Sequence, residues 1–143
     1  MKHEPLLLDT GGWLYALAGE DGYAQALEAA RPAIVPTLVL PEVDWHLRAQ
    51  RPAMQRLLRE IEEGRYVLEA PDARDLARAG QIDRKFAELG LGLVDASVAA
   101  LAERLGIYRV LTTDRDLTIV RVGRGYRRAL ILAAPLPKRK RRG

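Results

Sequence analysis

Apolar residues along the chain fall into short blocks that alternate between two rhythms. Leu6–Leu8 is a continuous apolar run stopped by Asp9-Thr10-Gly11-Gly12, the pattern of a buried parallel strand entering a turn. Trp13, Leu14 and Leu17 then recur at helical spacing. A second helix is expected to begin at Asp21 as its N-cap, to carry Tyr23, Ala26, Leu27 and Ala30, and to end at Arg31-Pro32. Residues 33–35 read as a very short strand. Pro36 and Pro41 bracket Thr37-Leu38-Val39-Leu40. Val43, Trp45 and Leu47 then predict a helix to about Ala49, with Pro41 near its first turn, where proline is tolerated.

Pro52 opens a further helix through Met54, Leu57, Leu58 and Ile61, and Gly64 stops it. Tyr66-Val67-Leu68 reads as a strand. Residues 72–89 form a long helical stretch, either continuous or broken at Gly80, and Gly90-Leu91-Gly92 is a loop. A strongly periodic helix follows over 94–105 and ends at Gly106. Residues 108–111 read as a strand stopped by Thr112-Thr113-Asp114-Arg115-Asp116, and 129–132 as the last strand. Strands alternating with helices, and no internal repeat, predict one α/β domain with a largely parallel sheet.

The length of 143 residues suits one domain with one core. The absence of cysteine excludes disulfides, zinc–thiolate sites and thiol nucleophiles. The leading apolar run is too short for a signal peptide, and no later stretch reaches membrane-spanning length, so a cytoplasmic location without membrane contact is expected. The net charge of +4 is unevenly placed, because Lys138, Arg139, Lys140, Arg141 and Arg142 are all basic. Without them the chain is close to neutral. The expected organisation is a domain over 1–137 and a basic, disordered tail over 138–143, which is either solvated or in contact with nucleic acid.

Four carboxylates stand where elements begin or end. Asp9 follows the first strand, Asp114 follows the strand at 108–111, Asp95 lies beside a helix start, and Glu42 follows Pro41. In open parallel sheets, ligands collect beyond the carboxyl ends of strands, where the strand order reverses. Each acid also has a plainer reading. Asp9 and Asp95 suit N-caps, Glu42 complements a helix dipole, and Asp114 with Asp116 is ordinary turn chemistry.

From Leu6 to about Leu132 the chain resembles the PIN family of nucleases, specifically its VapC-like toxin branch from type II toxin–antitoxin systems. The resemblance rests on Leu6-Leu7-Leu8-Asp9-Thr10, Pro41-Glu42-Val43, Gly92-Leu93-Val94-Asp95-Ala96 and Leu111-Thr112-Thr113-Asp114-Arg115-Asp116-Leu117, in that order and spacing. It implies a three-layer α/β/α domain with a central, mainly parallel sheet of four to five short strands. It further implies that Asp9, Glu42, Asp95 and Asp114 gather at the sheet's C-terminal edge around Mg2+ or Mn2+. Asp116, Thr10 and Thr112 are accessory candidates. The implied partners are RNA, a cognate antitoxin and a second copy of the chain. One departure stands out: many relatives carry serine or threonine two residues after the first aspartate, where this chain has Gly11. Leu117 also stands where an aromatic residue is frequent.

This residue set suits hydrolysis of a phosphodiester. Four close carboxylates repel one another, and without a cation some should take up protons. A hard divalent ion relieves that repulsion and assists attack by water. Arg115, Arg121, Arg124, Arg127 and Arg128 are candidate RNA contacts, since guanidinium matches phosphate geometry. Trp13, Tyr15 and Trp45 are either interface anchors or core.

Other readings are weaker. His46, four residues after Glu42, shares a helical face with it but does not make a zinc site. Ser97, the one serine, has no histidine placed to activate it. A phospho-aspartyl site would want a lysine after a core strand, and Lys2, Lys85, Lys138 and Lys140 are not so placed. The alternative within the same fold is a catalytically silent module that binds RNA or protein.

Overall fold

The computed structural model describes residues 4–138, so most of the expected basic tail, Arg139 onward, lies outside the described residues. Five strands form one sheet in the order β3-β2-β1-β4-β7, every pair parallel: β1 Leu6–Leu8, β2 Ala33–Pro36, β3 Tyr66–Glu69, β4 Arg109–Leu111 and β7 Ile131–Leu132. Leu6, Leu7 and Leu8 are fully buried, as a central strand covered on both faces requires.

Six helices connect the strands: α1 Thr10–Leu17, α2 Tyr23–Ala29, α3 Val39–His46, α4 Arg51–Glu62, α5 Ala73–Lys85 and α6 Gly92–Leu105. The connections through α1–α4 step from β1 to β2 to β3, whereas the one through α5 and α6 steps back across to β4. Parallel crossovers are right-handed, so these two sets lie on opposite faces of the sheet. In agreement, α1 packs on α2 and α3, and α5 on α6. The strand order therefore reverses between β1 and β4, which places the topological switch point there.

The inner face of α6 is small. Ala96, Ala99, Ala100 and Ala102 are buried there with Val98 and Leu101, which lets the helix lie close to its neighbours. On the opposite layer, Gly12 allows α1 to press onto the end of β4. A Cβ at Gly12 would sit 2.1 Å from the Leu111 carbonyl oxygen and 2.2 Å from its carbon.

Several expectations are corrected by the structure. The second helix has Gly22, not Asp21, as its N-cap. Gln25 explains the shift, because its Oε1 accepts from the Gly22 amide while its Nε2 donates to Asp21 Oδ1. The third helix starts at Val39, before Pro41, which still falls among the first residues whose N–H groups have no helical partner. Of the two readings open for α5, the continuous one holds: the helix runs unbroken through Gly80, since Ala79 and Ile82 on the same stretch are buried against the core. It is extended by a 3-10 turn at Ala87–Leu89.

The expected last strand is two strands. β6 Arg128–Ala129 pairs antiparallel with β5 Arg121–Val122, and only β7 joins the main sheet. This small hairpin is clamped to the helical layer. Glu103 accepts from the Gly123 amide at 2.7 Å and from Arg78 at 2.8 and 2.9 Å, while Arg78 donates to the Gly123 carbonyl. Among the described residues, no helix is long and apolar enough to cross a membrane.

Candidate active site

Asp9 reaches the site because β1 ends there. Its amide donates to the Leu111 carbonyl at 3.0 Å, carrying the β1–β4 ladder one residue further, while its extended backbone leads into α1. It stands at the N-cap position, yet its carboxylate makes no capping bond. Oδ2 instead accepts from the Thr112 hydroxyl at 2.7 Å. Oδ1 is buried and, among the described residues, has no hydrogen-bond partner. An orphaned acceptor costs about 1–3 kcal/mol, and more on a charged group, so this atom is poised for a cation or a proton donor.

Thr112 joins two of the acids. Its hydroxyl donates to Asp9 and accepts from the Asp114 amide at 3.0 Å. Asp114 retains part of its turn role, because Oδ1 accepts from the Asp116 amide at 2.9 Å. Glu42 lies in the first turn of α3 and accepts from Thr10 Oγ1 at 2.6 Å. Asp95 lies in the first turn of α6, whose N-cap is Leu91, so it has no capping role.

All four acids line one pocket of about 460 Å³, together with Thr10, Gly11, Leu14, Tyr15, His46 and Thr113. His46 shares the face of Glu42 as its spacing predicts, whereas nothing in the sequence points to Thr113 here. Asp116 contributes its amide to Asp114, but its side chain is not part of this lining. Among the described residues, no three acidic or imidazole side chains close on a single point as the ligands of a bound ion do. The carboxylates ring the pocket instead. A larger cavity of about 650 Å³ beside Leu27, Arg31 and Val67 holds no such convergence, with Glu28 as its one acid.

The electrostatics follow from this crowding. Burial pushes the Asp9 carboxyl up from its ordinary value; the Thr112 hydroxyl and the Thr10 amide pull it back, and Asp114 and Glu42 raise it further. Asp95 is pushed up to about 8, first by burial, then by the Asp9 charge, by a proton-mediated bond to Asp114, and by the charges of Asp114 and Glu42. The neutral form of Asp95 is therefore favoured near neutrality without a cation.

That shift carries a sign for stability. Asp95 binds its proton more tightly folded than unfolded, so its contribution is complete at low pH and is lost as pH rises through about 8. With chelator present, the melting temperature should be lower at about pH 8 than at about pH 5.5. Asp95→Asn should flatten that slope and raise the melting temperature at the higher pH. A melting curve indifferent to both would contradict the crowded geometry.

The arginines do not act as one group. Arg115 is exposed in the 3-10 turn directly after Asp114. Arg121 is turned onto the carbonyls of Thr118, Ile119 and Val120. Arg128 lies 4.2 Å over the Tyr108 ring, and Arg124 and Arg127 are exposed. Their hairpin is anchored at Glu103, about 12 Å along α6 from Asp95 by helical rise. The aromatic candidates also divide. Trp13 is core, fully buried against Tyr66, whereas Tyr15 is 37% and Trp45 62% exposed.

A parallel sheet between two helical layers, with acids gathered at its switch point, defines an α/β/α domain with a strand-end anionic site. The chain belongs to the PIN domain family, whose model matches residues 6–124, a span that includes all four acids. Among solved structures it is similar to VapC20 of Mycobacterium tuberculosis, a sarcin–ricin loop cleaving toxin. The TM-score is 0.67 at 20% identity, over 78% of this chain and 91% of that one. It is similar to VapBC2 from Rickettsia felis bound to promoter DNA, with a TM-score of 0.62 at 18% identity, over 89% and 96%. A toxin–antitoxin complex from Klebsiella pneumoniae gives 0.60 at 21% identity, over 76% and 86%. No curated protein sequence matches the chain.

Proposed function

We propose that the chain is a divalent-metal-dependent endoribonuclease that hydrolyses RNA phosphodiester bonds, and that it serves as the toxin of a toxin–antitoxin pair in the cytoplasm. The observation that carries this reading is the pocket shared by Asp9, Glu42, Asp95 and Asp114, with an Asp9 oxygen that is buried and has no partner among the described residues. As pure scaffold such a cluster is unfavourable, since each carboxylate raises the cost of ionising the next. It suits a hard cation with oxygen ligands.

Asp9, Asp95 and Asp114 would hold Mg2+ or Mn2+, and Glu42 would act as a further ligand or as a base through water. The ion, when bound, balances the anionic charge and favours attack of water on phosphorus. The protein's own residues supply orientation. Thr112 fixes Asp9 relative to Asp114, and Thr10 fixes Glu42, so that the carboxylates of Asp9, after β1, and Glu42, on α3, line the same pocket. Of the candidate arginines, exposed Arg115, next in sequence to Asp114, is the one this reading assigns to RNA, whereas Arg121 and Arg128 make contacts within the fold.

The toxin reading draws support from the likeness to VapC20 and to the two toxin–antitoxin assemblies. A groove lined by Leu14, Leu17, Leu47 and Leu57, and edged by Arg56, Glu60 and Arg65, shares Leu14 with the site, and the rings of Tyr15 and Trp45 are exposed on α1 and α3. Such a surface suits an antitoxin segment or a second copy of the chain.

Purified protein should cleave total RNA with Mg2+ or Mn2+ and stop when a chelator is added. Binding of RNA without cleavage under any divalent ion would favour the silent module instead.

A further inference from the structure

Gly11 and Thr113 share one space at the wall of the acidic pocket. Gly11 is in the first turn of α1, and Thr113 follows β4 at the other end of the domain's sequence. A Cβ on Gly11 would fall 2.1 Å from Thr113 Oγ1, 3.3 Å from its Cβ and 3.5 Å from its Cγ2. The threonine hydroxyl thus fills the volume a side chain at position 11 would need, and both residues line the pocket.

The two neighbouring threonine hydroxyls are committed, since Thr112 donates to Asp9 and Thr10 donates to Glu42. A hydroxyl has one proton to donate, so neither keeps one for a bound phosphate. The half-buried Thr113 hydroxyl takes no part in those two bonds to carboxylates. Besides Thr10, the side-chain N–H and O–H groups in the lining are those of Thr113, Tyr15 and His46, and Thr113 is the one that directly precedes an acid of the site, Asp114, and meets Gly11.

Resting on the nuclease reading, we propose that Thr113 Oγ1 positions the scissile phosphodiester by donating to one of its non-bridging oxygens, and that Gly11 is what allows it to stand there. Cleavage should then depend on the hydroxyl and on the vacancy at position 11 together. Thr113→Val should lower kcat/KM about tenfold, the scale of one hydrogen bond, while Thr113→Ser keeps most of it. Gly11→Ala, which turns the hydroxyl aside, should impose a similar loss. In a Thr113→Ala background the same change at Gly11 should add little, as coupled sites require.

Two further readouts separate this role from a structural one. In the inactive Asp9→Asn background, Thr113→Val should weaken binding of a short RNA about tenfold. Mn2+ affinity and melting temperature should stay near those of the parent. Wild-type turnover in Thr113→Val, equal loss in Thr113→Ser, or loss of Mn2+ binding would each overturn the inference. If the parent protein cuts RNA and Thr113→Val is unimpaired, this inference alone falls. If the parent does not cut RNA with Mg2+ or Mn2+, the nuclease reading falls and takes this one with it.

Discussion

Asp9→Asn should reduce RNA cleavage by at least about a hundredfold, the scale of losing one preorganised electrostatic group, and leave the fold intact. The two side chains have the same shape, so the Thr112 hydroxyl keeps an oxygen to donate to. What disappears is the negative charge of a carboxylate with one oxygen that has no partner among the described residues. Because burial already raises the Asp9 carboxyl from its ordinary value, a neutral replacement relieves the folded state. Its melting temperature in chelator should therefore match or exceed the parent's at about pH 8. Loss of activity with retained stability is the signature of a functional acid. Near-normal turnover in a purified Asp9→Asn protein would remove Asp9 from the reaction.

Gly12→Ala should be the most damaging single methyl addition in the domain. The added carbon would meet the Leu111 carbonyl carbon and oxygen and the Thr112 amide nitrogen at 2.1–2.5 Å. These are backbone atoms of the sheet, which cannot swing aside as a side chain can. Helix α1 would have to lift away from β4, separating Asp9 from Thr112. Overpacking of this kind costs about 3 kcal/mol, a large part of the roughly 5–15 kcal/mol that holds a domain. A fall in melting temperature of roughly 10 °C is expected. The same substitution at Gly80 should act in the opposite sense. There the nearest atom to the new carbon is Arg84 Nη1 at 3.7 Å, and the site is inside α5. Alanine should stabilise that helix by roughly 0.5–1 kcal/mol. Equal melting temperatures for the two variants would contradict the packing described.

Central strands and the acids at their ends were legible in the sequence because their causes are local. Leu6–Leu8 and the apolar residues of β4 declare buried strands, and an aspartate closely following such a run must lie at the sheet's edge. The start of α2, the continuity of α5 through Gly80 and the β5–β6 hairpin were not legible, because their causes are tertiary or lie in one side chain. Gln25 moves the helix start from Asp21 to Gly22, and burial of Ala79 and Ile82 outweighs the low helix propensity of Gly80. The hairpin has two residues per strand, too few for any periodicity, and is held by Arg78 and Glu103 from distant helices. At the site, the sequence placed Gly11 as a missing hydroxyl. It gave no sign that Thr113 would occupy the same space, since that proximity depends on how α1 seats against β4.

Calorimetric titration of the protein with Mn2+ at about pH 7, in two buffers of different ionisation enthalpy, tests the cation-binding pocket most directly. Binding should release about one proton, because Asp95 must give up the one it holds when the pocket is empty of cations. Asp95→Asn should abolish that release, and Asp9→Asn should weaken the binding. Mn2+ binding that releases no proton and is unchanged in both variants would place the ion elsewhere and contradict the account.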